Sequence, residues 1–312
     1  MKQIKILSIL TLLFIATISC QNSKKSNLTL LSNQIPEDTP LVFGPDIIST
    51  DDAMDFAITF NPEMTELFFT RRKSGENNKI YTMNFVDDKW TAPEVAFFSA
   101  KKGWDFEPHI NPKGNRLYFG SIRPLNDTIE SSGLYQWYSE KLNDTWSEPQ
   151  VINASFSNEK MMMYLTSSKD ETIYFTVIRD GTNSGLFYSE LTDTKYDLLN
   201  RLPENINQID SIDVAHPFIA PDESYIIYDF EKNDGFGDCD LYISFKENGV
   251  WTESYNLGPK INTEQCEMTA SVSPDGKYLF FNRGDGKEDS GNIYWVDFLQ
   301  VKKELLENIN SN

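Results

Sequence analysis

Residues 269–296 read TASVSPDGKYLFFNRGDGKEDSGNIYWV. A short apolar run meets the turn Ser273-Pro274-Asp275-Gly276, and a continuous hydrophobic strand, Tyr278-Leu279-Phe280-Phe281, follows it. A polar, glycine-rich loop then leads to a further strand holding Ile293-Tyr294. The turn residues act for separate reasons: proline fixes φ, aspartate bonds its own backbone, and glycine tolerates positive φ. Strand, turn, strand, loop, strand is one sheet unit, and alone it is too small to bury its faces.

The unit recurs. Equivalent turns stand at Asn61-Pro62, Asn111-Pro112, Ser167-Ser168 and Ala220-Pro221, followed by Leu67-Phe68-Phe69, Leu117-Tyr118-Phe119, Ile173-Tyr174-Phe175 and Ile226-Ile227-Tyr228. An apolar-aromatic pair closes each copy: Ile80-Tyr81, Leu134-Tyr135, Leu186-Phe187, Leu241-Tyr242 and Ile293-Tyr294. Counted at positions 62, 112, 168, 221 and 274, the steps are 50, 56, 53 and 53 residues. That period predicts an all-β fold, a five-bladed β-propeller of four-stranded antiparallel blades, with repeats at 51–100, 101–155, 156–208, 209–262 and 263–300. The ends Trp90-Thr91-Ala92-Pro93, Trp146-Ser147-Glu148-Pro149 and Trp251-Thr252-Glu253-Ser254 read as outermost strands. The fifth repeat lacks one. Residues 40–50, through Gly44-Pro45-Asp46-Ile47-Ile48, can supply it and close the ring, removing exposed strand edges. A sixth blade would need four strands from residues 21–50, which are too few.

Composition agrees with one repetitive β domain: 312 residues, 39% hydrophobic and 13% aromatic, ending in a polar tail at 301–312 that is charged and helix-favouring over 302–307. With 47 acidic against 28 basic residues, a nucleic-acid partner is excluded. At the other end, Lys2 and Lys5 precede an apolar run at 6–18 that is too short to span a membrane. Residues 1–19 therefore read as a signal peptide and 20–39 as a flexible tether to a propeller at 40–300.

The stretch Ser273-Pro274-Asp275-Gly276-Lys277-Tyr278-Leu279-Phe280-Phe281, the aromatic strand after it and the Trp-x-x-Pro ends resemble the WD40-like, TolB-type (PD-G motif) β-propeller repeat of bacterial envelope lipoproteins. The resemblance covers residues 40–298 and implies a periplasmic, protein-binding propeller. Thr17-Ile18-Ser19-Cys20 resembles a lipobox, which implies cleavage before Cys20 and its acylation; the alternative is an ordinary secretory signal. No acid follows in Gln21-Asn22-Ser23-Lys24-Lys25, so an outer-membrane anchor facing the periplasm is expected rather than the cell surface. Membrane contact is then through the lipid only, and a monomer is expected.

The loop between second and third strands varies most in length between repeats, and insertions gathered on one face mark a binding face. Near that face fall Asp55, Asp105, Glu107, Asp213, His216 and Glu267, with Lys73, Arg123, Arg179 and Lys232 around them and Met161-Met162-Met163-Tyr164 as one wall. One reading is a funnel for an envelope protein, a glycan or another polar ligand. The other is that these charges cap strands and hold blades together. An enzymatic alternative is a glycosidase using Asp55, Glu107 and Glu267, with Glu107, flanked by Phe106 and Pro108, as the acid. Phosphate-cradling and dinucleotide motifs are missing, so no cofactor is expected. His109 and His216 lack zinc-ligand spacing, and the oxygen-rich run at 234–240 reads as a solvated turn rather than a calcium loop. With Cys20 acylated, Cys239 and Cys266 remain on one face of adjacent blades, and a disulfide is expected if their Cα atoms lie within about 7 Å.

Overall fold

The computed structural model describes residues 27–32, 34–99, 104–125, 133–156, 159, 161–179, 184–207, 214–232, 235–284 and 290–311. The signal peptide, Cys20 and Asp213 lie outside the described residues. Five antiparallel three-stranded units, numbered as sheets in chain order, follow one another, and a parallel bridge between Met54 and Gly291 joins the first and the fifth into one larger sheet. The first holds Ala53–Phe60, Glu66–Lys73 and Lys79–Val86, and the second Asp105–Ile110, Arg116–Ser121 and Tyr135–Leu142. The third holds Met162–Ser167, Ile173–Val177 and Gly185–Ser189. The fourth holds Val214–Ile219, Tyr225–Phe230 and Asp240–Glu247, and the fifth Glu267–Val272, Tyr278–Gly284 and Gly291–Asp297.

The first strands pack on one another in order around an axis: Ala53–Phe60 on Asp105–Ile110, then Met162–Ser167, Val214–Ile219 and Glu267–Val272, which returns to Ala53–Phe60. Each carries a bulge, and in each the bulged residue is non-glycine with positive φ: Ala57, Glu107, Tyr164, His216 and Thr269. Such a bulge re-aims side chains locally.

The core lies between neighbouring sheets. In the second strand of the first sheet, Leu67 and Phe69 face Phe280 and Trp295 of the fifth sheet, while Phe68 faces Leu117 and Phe119 of the second. Burial on both faces explains why these strands read as continuous hydrophobic runs instead of alternating ones.

Outer edges differ from the simple reading. Instead of one strand, Lys89–Trp90 folds back on Phe85 and Val86, and Glu94–Val95 pairs with Tyr81 and Thr82. Pro93 stands between them and cannot donate to a ladder. On the fifth sheet Leu41–Val42 pairs with Trp295 and Tyr294, and Phe43 N donates to Ile293 O at 2.8 Å. The pairing strand thus ends before Gly44-Ile48, because Gly44 (φ 57°) opens a turn whose carbonyl accepts from Ile47, Ile48 and Ser49.

One further expectation needs correction. Residues 27–32 are not free tether: Leu28 and Leu31 are buried against Phe43, Ile48 and Trp295, where apolar burial outweighs chain freedom. The helix-favouring tail does form a helix, Phe298–Ser311, whose Phe298 and Val301 join the core between the fourth and fifth sheets. Lys260 clasps both ends, pairing with Asp38 and Glu304. Cys239 and Cys266 form a disulfide between these two sheets, with Cα atoms 4.4 Å apart.

Candidate functional site on the axis

At the entry end of the first strands, three of the expected binding carboxylates sit in one recurring strut. Asp55 is fully buried and pairs with Arg71 Nε at 2.7 Å, while Arg71 Nη2 donates to the Ile47 and Ile48 carbonyls. Burial pushes the Asp55 carboxyl up against the opposing pull of Arg71. Asp105 meets Arg123 at 2.8 Å, and Arg123 reaches the Phe98 carbonyl. Glu267 meets Arg283 at 2.7 Å, and Arg283 reaches the Ile261 carbonyl. Each guanidinium also lies over aromatic rings, those of Phe69 and Tyr81, Phe119 and Trp137, or Phe281 and Tyr294.

The remaining basic residues are also engaged. Arg179 pairs with Glu159 at 2.6 Å, Lys73 with Asp52 at 2.8 Å at the surface, and Lys232 lies over Phe230 and Tyr242. In the 234–240 run, Asp240 accepts from the backbone of Phe236 and Gly237 and from Asn256, which folds the loop on itself.

The structure does bring Glu107 and His216 together, halfway along the axis. His216 Nε2 lies 3.5 Å from Glu107 Oε1, and His216 Nδ1 lies 2.9 Å from both oxygens of Asp229. Burial opposes the imidazolium charge, but Asp229 and Glu107 outweigh it and hold the His216 pKa up at about 10. The cluster ties neighbouring repeats. Thr70 Oγ1 accepts from Glu107 N, Thr176 Oγ1 from His216 N, and Asp229 from Thr269 N. At the matching place in the second repeat stands Gly120, and there the Glu107 carboxylate itself accepts from Tyr164 N at 2.7 Å. Tyr164 crosses the axis to donate to the Ala270 carbonyl at 2.5 Å and meets the His216 ring edge-on.

Asp229 was not among the expected residues. Aligned second strands carry Thr70, Gly120, Thr176, Asp229 and Asn282 at that place, so the single acid was visible in the repeat itself.

Beyond this plug, toward the Pro-Asp-Gly turns, the axis opens. A void of about 10 Å³ lies next to Glu107 and Tyr164, and a cavity of about 320 Å³ shares Thr59, His109 and Ser271 with it. Every repeat contributes to the cavity wall: Thr59 and Pro62, His109 and Pro112, Ser167 and Lys169, Phe218 and Pro221, Ser271 and Pro274. Side chains at this level latch neighbouring first strands at four of the five junctions. Ile110 N donates to Thr59 Oγ1 at 3.0 Å, Ser167 N to His109 Nε2 at 3.0 Å, and Ile219 N to Thr166 Oγ1 at 3.2 Å. Ser271 Oγ donates to the Ile58 carbonyl at 2.7 Å. The rim is closed by turn contacts, such as Lys169 N to the Pro221 carbonyl at 2.8 Å. The face expected to bind and the face that carries this cavity are therefore opposite ends of the same strands.

No family model matches the chain, and no curated protein matches it. Solved structures do. An α-L-arabinofuranosidase from Lactobacillus brevis is 12% identical at TM-score 0.51, covering 78% of this chain and 90% of that one. A protein assigned as TolB from Agrobacterium tumefaciens is 12% identical at TM-score 0.50, covering 80% and 78%. TolB from Acinetobacter baumannii is 15% identical at TM-score 0.45 over 70% of this chain, which spans 47% of that one. At such identities the likeness extends to the β-propeller fold alone. Fold does not fix function, and the two higher-scoring neighbours bear names of different classes.

Proposed function

We propose that this chain is a five-bladed β-propeller, closed by its N-terminal strand on the last blade, that serves as a lipid-anchored binding module of the bacterial cell envelope. Acylated Cys20 holds it to the outer membrane on the periplasmic side. The bound partner is an envelope protein or a polar ligand such as a glycan, and it is met at the axial cavity of the turn-bearing face. One observation carries this reading: a cavity of about 320 Å³ to which all five repeats contribute, in the size range of ligand sites. The glycoside-cleaving alternative needs an acid and a base free to reach substrate. Asp55 and Glu267 are instead paired with arginines, and Glu107 is held by His216 and Tyr164 N.

A photo-crosslinking residue at Lys169 tests the site against the same residue at Val250, an exposed position on an outer hairpin. Partner adducts in intact cells are expected from position 169 and not from 250; equal labelling would reject the cavity as the seat. Cys20→Ala should move the protein from the membrane to the soluble fraction.

A further inference from the structure

The cavity is unusual for this protein in its charge. None of its lining residues is acidic, although the chain has 47 acids. Its one formally charged side chain is Lys169, at the turn position held by Glu63, Asp222 and Asp275 in three other repeats. Lys113 on the neighbouring turn pairs with Glu171 at 2.7 Å, and Lys277 lies over Tyr278. Lys169 has no ion-pair partner among the described residues.

A second donor stands deeper. Because Ser167 N donates to His109 Nε2 at 3.0 Å, the ring proton sits on Nδ1, which has no partner among the described residues. Burial holds the His109 pKa down at about 3, so the ring is a neutral donor and not a second cation. Phe60, Phe218 and Val272 supply apolar wall. One ammonium at the mouth, one neutral N–H inside and an apolar lining match a singly charged ligand with an inner acceptor oxygen. A phosphate would call for more cationic or backbone N–H donors than these.

Resting on the reading of the cavity as the binding site, we infer that it takes an acylated amino-acid carboxylate. Lys169 meets the carboxylate, His109 Nδ1–H meets the acyl carbonyl, and the apolar side chain packs on Phe60 and Phe218. The same chemistry is offered by a free N-acyl amino acid and by the C-terminus of a partner chain.

Calorimetric titration of the mature protein with N-acetyl-leucine, N-acetyl-leucinamide and N-acetyl-glycyl-prolyl-leucine separates the cases. The acid should bind about fivefold more tightly than the amide, the upper end for a solvent-exposed ion pair. Lys169→Met, an exposed turn substitution, should erase that difference. Tighter binding of the tripeptide assigns the site to a chain end, and weaker binding to a free acyl amino acid. Equal affinity for acid and amide would overturn the carboxylate assignment while sparing the cavity. Absence of binding by all three would remove both.

Discussion

Two levels of the axis are built from equivalent positions under different rules. At the entry end, three repeats place the same strut: Asp55 with Arg71, Asp105 with Arg123, Glu267 with Arg283. Halfway along, Ala57, Glu107, Tyr164, His216 and Thr269 share a positive φ, and the last four donate their N–H to the repeat before, but no two side chains are alike. A group repeated around the ring serves what every repeat needs, which is attachment to its neighbour. A group present once answers to something local. The acids that looked most like a ligand-binding set belong to the first kind.

The largest effect should come from breaking a strut on one side only. Glu267→Ala leaves Arg283 poorly solvated and without its carboxylate, at a cost of about 3–5 kcal/mol in urea unfolding. Pairing Glu267→Leu with Arg283→Met should recover most of that loss, since a buried ion pair can be replaced by packed apolar groups at little cost. If single and double variants are equally destabilised, the strut is not the unit that holds these sheets.

The axial cluster should instead show itself through pH. The His216 pKa is raised from 6.5 to about 10, so its stabilising contribution is complete below pH 6.5 and is lost as pH rises toward 10. His216→Gln should abolish this alkaline loss. His109 is the mirror case. Its pKa is lowered from 6.5 to about 3, so its contribution is complete above pH 6.5 and fades as pH falls through 3. His109→Gln should remove that part of the acid loss, read as the difference in Tm from the parent chain across the range. Identical profiles for parent and both variants would mean that neither histidine is held as described.

Much of the sheet order was legible because the period of turn, strand and aromatic pair is a local signal repeated five times. The pairing of the N-terminus with the fifth sheet was legible as a missing strand. Its register was not, since Gly44 bends the chain one residue after Phe43 and sequence alone does not say where a glycine turns. The docking of Leu28 and Leu31 was hidden by the polar residues around them, Asn27, Thr29 and Ser32. At the site, Glu107 and His216 were found as residues but not as partners. Their contact joins the second and fourth repeats, and no repeat-by-repeat comparison reports which residues meet across an axis. The cavity was missed for a similar reason: much of its wall is made of prolines and serines that each look like ordinary turn chemistry.

The smallest effect, and the finest test of the two-level picture, lies in the latches around the cavity. Four of the five repeats place a hydrogen-bonding side chain there, and the fourth has Phe218. Thr59→Val keeps the side-chain shape but leaves Ile110 N without its acceptor. Losing a buried acceptor should cost about 1–2 kcal/mol, well below the strut. Ser271→Ala removes a donor to a carbonyl that keeps a second lone pair, so it should cost less than Thr59→Val. If Thr59→Val matches Glu267→Ala in unfolding free energy, the turn end bears as much of the ring as the entry end does. The cavity would then be chiefly a by-product of closing the ring, and its openness would lose its claim to a separate purpose.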